Sequence, residues 1–416
     1  MSFHLIPRNF LLLLGSLLFL AVSGCGGDTS ELQEDAFDPA TASWEQITEK
    51  ARGTTVYWMH WRGDPAINAY TDQYVTSRMK ELYDIEVITV AGQGPDIVNN
   101  TLLARQSGKK EGKVDIAWIN GETYHQMRTA ELLYGPFTSL LPNFALVDTN
   151  DPIIKYDFEE PIDGFEAPWG SVQLSLIYNS EKISDPPRTI PALKEWIKAH
   201  PGKFTYDVSF TGVTFIKTLM YGLNGGPEPF QGGFDSTVYE NRMQIVWEYL
   251  NEIKPYLWRQ GKTYPEDVAA LHSLFANGEV WFTMSNNDAE VDNKILQGIL
   301  PEWSRGLVLE EGTIANTHYQ AIPFNAPNKA GALVLINFLL SPEAQYEKMK
   351  PEVWADGTVL DPKRLSKEWQ DRFASIPGRV AAMPREEIRK YAVPEVDARY
   401  HERILEDWRT HVLKRP

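Results

Sequence analysis

The sequence predicts an α/β chain with two separate cores, and three observations carry that prediction. Its 416 residues are enough for two domains that each bury a core. Strand, turn and helix alternate along the first third, which is the pattern of a parallel sheet. After about residue 170 the composition changes and a second strand and helix alternation begins.

The N-terminus comes first. The apolar run "FLLLLGSLLFLAV" follows Arg8, long enough for the core of a signal peptide and short for a membrane-spanning helix. "VSGC" follows directly and ends in Cys25, the only cysteine of the chain. A single cysteine makes no intramolecular disulfide, and small residues before it are the setting of a bacterial lipobox. Residues 1–24 therefore read as a signal peptide and Cys25 as the lipidated residue. Two or three acyl chains, at about 0.8 kcal/mol per buried methylene, hold a domain on a membrane without a further span. Residues 25–43 are polar, acidic and aperiodic, a flexible tether, so folding is expected to start near Trp44.

"TTVYW" reads as the first strand. Asp64 and Pro65 then start a helix that carries Ile67, Tyr70, Tyr74, Val75, Met79 and Leu82 on one face, and "IEVITV" is the next strand. The second unit has a helix around Ile97 to Gln106, "KVDIAWI" as a strand, "NGE" as a turn and "TYHQMRTAELL" as a helix. In such sheets ligands sit beyond the carboxyl ends of the strands, which is where "HWRGDP" and "NGET" fall. Trp61, past the strand end, reads as an exposed wall of a cleft, while Trp58 divides evenly between strand core and that wall.

A long strand from Ser171 to Tyr178 opens the second part. A helix starting at Thr211 or Gly212, a helix, turn and strand through "LFANGEVWFTMSNNDAEV", and a strand and apolar helix in "GTIANTHYQAIPFNAPNKAGALVLINFLL" complete it. Beyond Ala344 the charged chain reads as surface helices.

Charge and motifs narrow the function. Forty basic against 56 acidic residues give a net charge of -16, which disfavours nucleic acid and anionic headgroups as partners. There is no GxSxG, Walker A or HExxH, and "GQGPD" lacks the third glycine of a dinucleotide turn. Adjacent acids such as Glu159 and Glu160, or Glu310 and Glu311, read as solvated charge. The eight histidines show no paired helical spacing, so neither metal nor cofactor is expected.

The segments "WRGDPAIN", "VDIAWINGE", "PWGSVQLSLIYN", "FTGVTFI", "IPFNAPNKAGALVLINFLLSPEAQ" and "PEVWADGTVLDPKRL" resemble, in order, the solute-binding components of ABC importers, in particular the YnjB-type branch. The resemblance covers most of the mature chain. It implies a type II periplasmic-binding fold: two α/β lobes, a two-strand hinge with crossings at Ser171 to Tyr178 and Thr317 to Phe324, and a ligand cleft between the lobes. Lobe one would hold residues 44–170 and 317–416, and lobe two residues 172–313.

The resemblance also implies a ligand set. Trp61, Gly63 and Asp64 would come from the first loop, Asn120, Gly121 and Glu122 from the second, and Trp169 and Gly170 from the hinge mouth. Thr211 and Gly212 would open a lobe-two helix whose N–H groups meet a ligand oxygen, with Asn286 and Asn287 facing them. Each also has a plainer reading, glycines in turns, Asp64 as a helix cap and asparagines as loop braces. Aromatic rings beside acids suit an organic cation such as thiamine or a polyamine. The implied protein is an extracytoplasmic, lipid-anchored monomer, not an enzyme, that hands its solute to permease and ATPase subunits on separate chains. The alternatives are a membrane-anchored extracytoplasmic hydrolase and an iron-binding member of the same fold, the latter weakened because no Tyr-Tyr pair occurs.

Overall fold

Ser43 opens the first helix, Trp44–Ala51, with a reciprocal capping box: its hydroxyl accepts from the Gln46 amide while the Gln46 side chain accepts from its own. The computed structural model describes residues 37–414, and residues from Pro39 onward form one compact unit. The signal peptide, Cys25 and most of the tether lie outside the described residues.

The first sheet has the order β11-β10-β3-β1-β2, with β6 also paired to β10. Its strands are β1 (Thr55–His60), β2 (Glu86–Ala91), β3 (Ile116–Ile119), β6 (Glu166–Gln173), β10 (Thr313–Ala321) and β11 (Ala392–Val393). β1 runs parallel to β2 and β3, whereas β10 is antiparallel to β3 and β6. Val56 and Trp58 face one core with Ile116 and Leu335, and Met59 faces another with Ile119 and Tyr124. Alternate residues of one strand thus feed apolar layers on both faces, as in a doubly wound sheet.

The second sheet is β8-β7-β9, made of β7 (Ser175–Asn179), β8 (Phe282–Ser285) and β9 (Ser304–Leu307), all antiparallel. Its core gathers Leu176, Phe204, Phe215, Leu250 and Phe282. A two-strand hairpin, β4 (Tyr156–Asp157) and β5 (Glu160–Pro161), precedes β6.

Two boundaries differ from the sequence reading. The long strand expected from Ser171 to Tyr178 is two strands, because the chain changes partners at Leu174: β6 pairs with β10, and from Ser175 on β7 pairs with β8 and β9. The second crossing starts earlier than Thr317, at Thr313. The C-terminal stretch also does not belong wholly with the first core. The helix Ala398–Trp408 places Tyr400, Ile404 and Trp408 one turn apart, and that stripe packs in the second core with Ala381, Ala382 and Val396. Asp292 fixes the approach by accepting amides of Val380, Ala381 and Ala382 at 2.8 to 3.0 Å.

Candidate functional site

Parallel strands deliver their carboxyl ends to one side of the sheet, and β1 and β2 end there at His60 and Ala91. A cavity of about 360 Å³ lies at that spot, lined by Trp61, Arg62, Gly63, Ala91, Gly92, Gln93 and Asp96. Trp61 is half-buried, and its indole covers Gly63 so closely that a Cβ at Gly63 would sit 2.2 Å from the ring. Glycine at this position is what lets the ring lie flat along the loop. Arg62, though it lines the cavity, is engaged: it forks onto Asp72 and donates to the Thr89 hydroxyl at 2.8 Å. Across the cavity, Asp96 is exposed and its carboxylate accepts only the Gln93 amide among the described residues, at 2.9 Å.

Asp64 is buried and already engaged. It caps the helix Pro65–Ala69, accepting from Ala66 N at 2.7 Å, and its other oxygen receives the Lys294 ammonium at 2.5 Å. Lys294 belongs to the helix Glu290–Leu296, whose Val291 packs in the second core, so this ion pair joins the two halves of the molecule. Lys294 also lies 3.6 Å from Glu290, which faces His272. Burial, with the Glu290 charge, lifts the Asp64 carboxyl above its ordinary value against the pull of Lys294.

The second loop behaves alike. Asn120 stands at the N-cap of Gly121–Thr129 without a side-chain cap bond, and Gly121 presses on Phe158, 2.0 Å from where a Cβ would go. Glu122 meets His401 at 2.8 Å, a residue of the C-terminal helix. Burial would lift the Glu122 carboxyl, but the charges of His401 and Lys217 outweigh it and hold it below the usual range.

Trp169 is 1% exposed, so it stands inside the protein and not at a cleft mouth. Its ring lies 5.1 Å from Trp118, 5.2 Å from Trp354 and 5.7 Å from Trp58. Gly170 brings the backbone against a buried charge group: a Cβ there would lie 2.2 Å from both Asp356 and His318. Asp356 pairs with Lys348 at 2.7 Å and with His318 at 3.0 Å. Burial works to raise its carboxyl, yet Lys348 and His318 keep it below the ordinary value.

On the other half, Gly212 does not present a free N–H. Asp207 accepts from it at 3.1 Å and from Ser209 N at 2.8 Å, closing the start of the helix Phe210–Leu223. Thr211 accepts from the Asn286 amide at 3.1 Å, and Asn287 braces its own turn by accepting Ala289 N at 3.0 Å. A larger cavity of about 640 Å³ behind β10 holds none of the expected ligands. Three of its four carboxylates have internal partners, Glu160 in His125, Glu395 in Lys217 and Asp397 in Arg399, while Glu159 accepts the Gly233 amide at 3.0 Å.

The structure thus brings Trp61 and Gly63 together at a cavity and assigns Asp64, Glu122, Gly170, Thr211, Gly212 and Asn286 to internal contacts. Sequence reasoning missed Asp96, in a segment read only for its want of a third glycine, and Lys294, four residues after Glu290 on one helix face. Among the described residues no group of three or more His, Cys, Asp or Glu is placed to hold a metal ion.

The cavity is lined wholly by residues 61–96, so it belongs to the first half of the molecule and does not lie between the two halves. The family model for bacterial extracellular solute-binding proteins matches residues 66–374. The chain belongs to that family. It is 38% identical over 328 residues to the protein YnjB of Escherichia coli K12, covering 78% of this chain and 84% of the relative. It is 25% identical over 300 residues to the spermidine/putrescine-binding periplasmic protein of Salmonella typhimurium, covering 66% and 77%. Among solved structures, the Tp0655 (TpPotD) lipoprotein of Treponema pallidum superposes with a TM-score of 0.62 over 86% of this chain and 99% of that one, at 13% identity. The fold is the type II periplasmic-binding fold, and membership makes the chain a binding protein of the extracytoplasmic side, not an enzyme.

Proposed function

We propose that the chain is the solute-binding component of an ABC importer and that it captures an organic cation of the size of a polyamine or thiamine. The observation that carries the solute class is that Trp61 and Asp96 line one cavity of about 360 Å³, whose other charged group, Arg62, is already paired with Asp72. That volume lies in the range of small-molecule pockets, and an aromatic face with a carboxylate is the chemistry that recognises ammonium groups. The Salmonella relative, named for spermidine and putrescine, supports the same class. Asp64 and Glu122 have internal partners, Lys294 and His401, and act in joining the lobes. Solute would enter with the lobes apart and stack on Trp61. Closure would re-form those pairs, and the closed form would dock on a permease whose ATPase is a separate chain. Cys25 would carry the lipid that keeps the protein at the membrane.

The test is thermal. Residues 27–416 are melted with and without polyamines, thiamine, sugars and iron. An organic cation should raise the melting temperature in a concentration-dependent way, while a shift by sugars or iron alone would overturn the solute class.

A further inference from the structure

Behind the crossing strands, two carboxylates are buried with nothing to bind them. Asp157 ends β4 and is 1% exposed; Glu166 begins β6 and is 0% exposed. All four of their oxygens lack a hydrogen-bond donor among the described residues. The tyrosines around them are committed elsewhere, and Arg128 keeps a buried Nε without an acceptor among the described residues. Tyr124 donates its hydroxyl to the Ile162 carbonyl at 2.8 Å, and Tyr319 donates to the Ile154 carbonyl at 3.0 Å. Arg128 lays its guanidinium 3.8 Å from the centre of the Phe165 ring.

We propose that Asp157 and Glu166 form a buried proton-binding site that retains at least one proton at neutral pH and makes the packing of the β4–β5 hairpin on the crossing strands sensitive to alkali. Two carboxylates in one dry site with no hydrogen-bond donor on any oxygen ionise together only at a high desolvation cost, so at least one is kept as the acid. No covalent step is involved: the proton comes from water and stays on a carboxyl oxygen.

The charges facing the pair favour retention. Asp157 feels Glu395, Glu160 and Glu122 against Lys217, and Glu166 feels Asp157 and Glu160 against Arg128. Burial is the largest influence on both, and the acids add to it, so both carboxyls stand well above their ordinary values. The sign of the linkage follows. A carboxyl raised in the folded state contributes stability that is complete below its unfolded value, roughly pH 4, and is lost as pH rises through the folded value. The location gives the effect a route to the lobes: Glu166 pairs with Ala321 on β10, and Tyr319 of the same strand holds the β4 carbonyl of Tyr156 at 3.2 Å.

Infrared spectroscopy of the full chain at neutral pH tests this. The expected result is a carboxylic-acid C=O stretch in the wild type that weakens in Asp157→Asn and in Glu166→Gln. The wild-type melting temperature should fall from about pH 6 to about pH 9, and that slope should flatten in the variants. A wild type without the acid stretch, or variants with an unchanged stretch and slope, overturns the proposal. If neither variant folds, carboxyl-carbon NMR titration of the wild type decides. One or two carboxyls with midpoints above neutrality support the site, and titration of every carboxyl below about pH 7 overturns it.

Discussion

Trp61 and Trp169 are both tryptophans beside a glycine and within reach of an acid in sequence, yet they end in opposite settings. Trp61 is half-buried over Gly63 with a cavity and a lightly used carboxylate in front of it. Trp169 is sealed among Trp58, Trp118 and Trp354, and the acid next to it already holds Lys348 and His318. An aromatic ring beside a carboxylate becomes a site for a foreign cation only where the protein has not supplied its own.

The largest expected effect falls on the sealed region. Trp169→Ala should cost about 3–5 kcal/mol of stability, as large aromatic truncations in cores do, read as a fall in the denaturation midpoint. A loss below about 1 kcal/mol would mean that this cluster is loosely packed and open to solute. Lys348→Met should cost slightly less, about 3 kcal/mol, because it strands the Asp356 carboxylate in a dry site. Asp356 is depressed in the folded state, so its contribution is present above its unfolded value near pH 4 and lost as pH falls through the folded value. The gap between the wild type and Lys348→Met should therefore narrow on acidification, and a gap that widened would break the assignment.

Between the two regions stands the pair that joins the halves. Lys294→Met should cost about 2 kcal/mol, since Asp64 keeps its helix-cap amides, and it should expand the molecule in small-angle scattering. An unchanged radius would show that Lys294 does not hold the lobes together. The smallest stability effect belongs to Trp61→Ala, within about 1 kcal/mol. Its solute affinity should nonetheless drop at least tenfold, about 1.4 kcal/mol.

Much of the scaffold was legible in the sequence. Asp64 followed by Pro65 specified a helix start, and "TTVYW" specified a first strand, which the structure extends to His60. The C-terminal assignment failed because the stripe Tyr400, Ile404 and Trp408 announces an amphipathic helix without saying which core receives it. The site was less legible for a similar reason. Asp64 meets Lys294 and Glu122 meets His401 across more than two hundred residues of chain, and local spacing carries no trace of such partners. Trp354 and Asp356 stood in a quoted segment, but only the fold reveals that they close around Trp169 and Gly170.

The most direct measurement is native mass spectrometry of residues 27–416, purified in parallel as the wild type, Trp61→Ala and the conservative Trp169→Phe. The account predicts one small organic cation per chain in the wild type and in Trp169→Phe, and a bare chain for Trp61→Ala. A solute retained equally by Trp61→Ala, or lost only from Trp169→Phe, would contradict it.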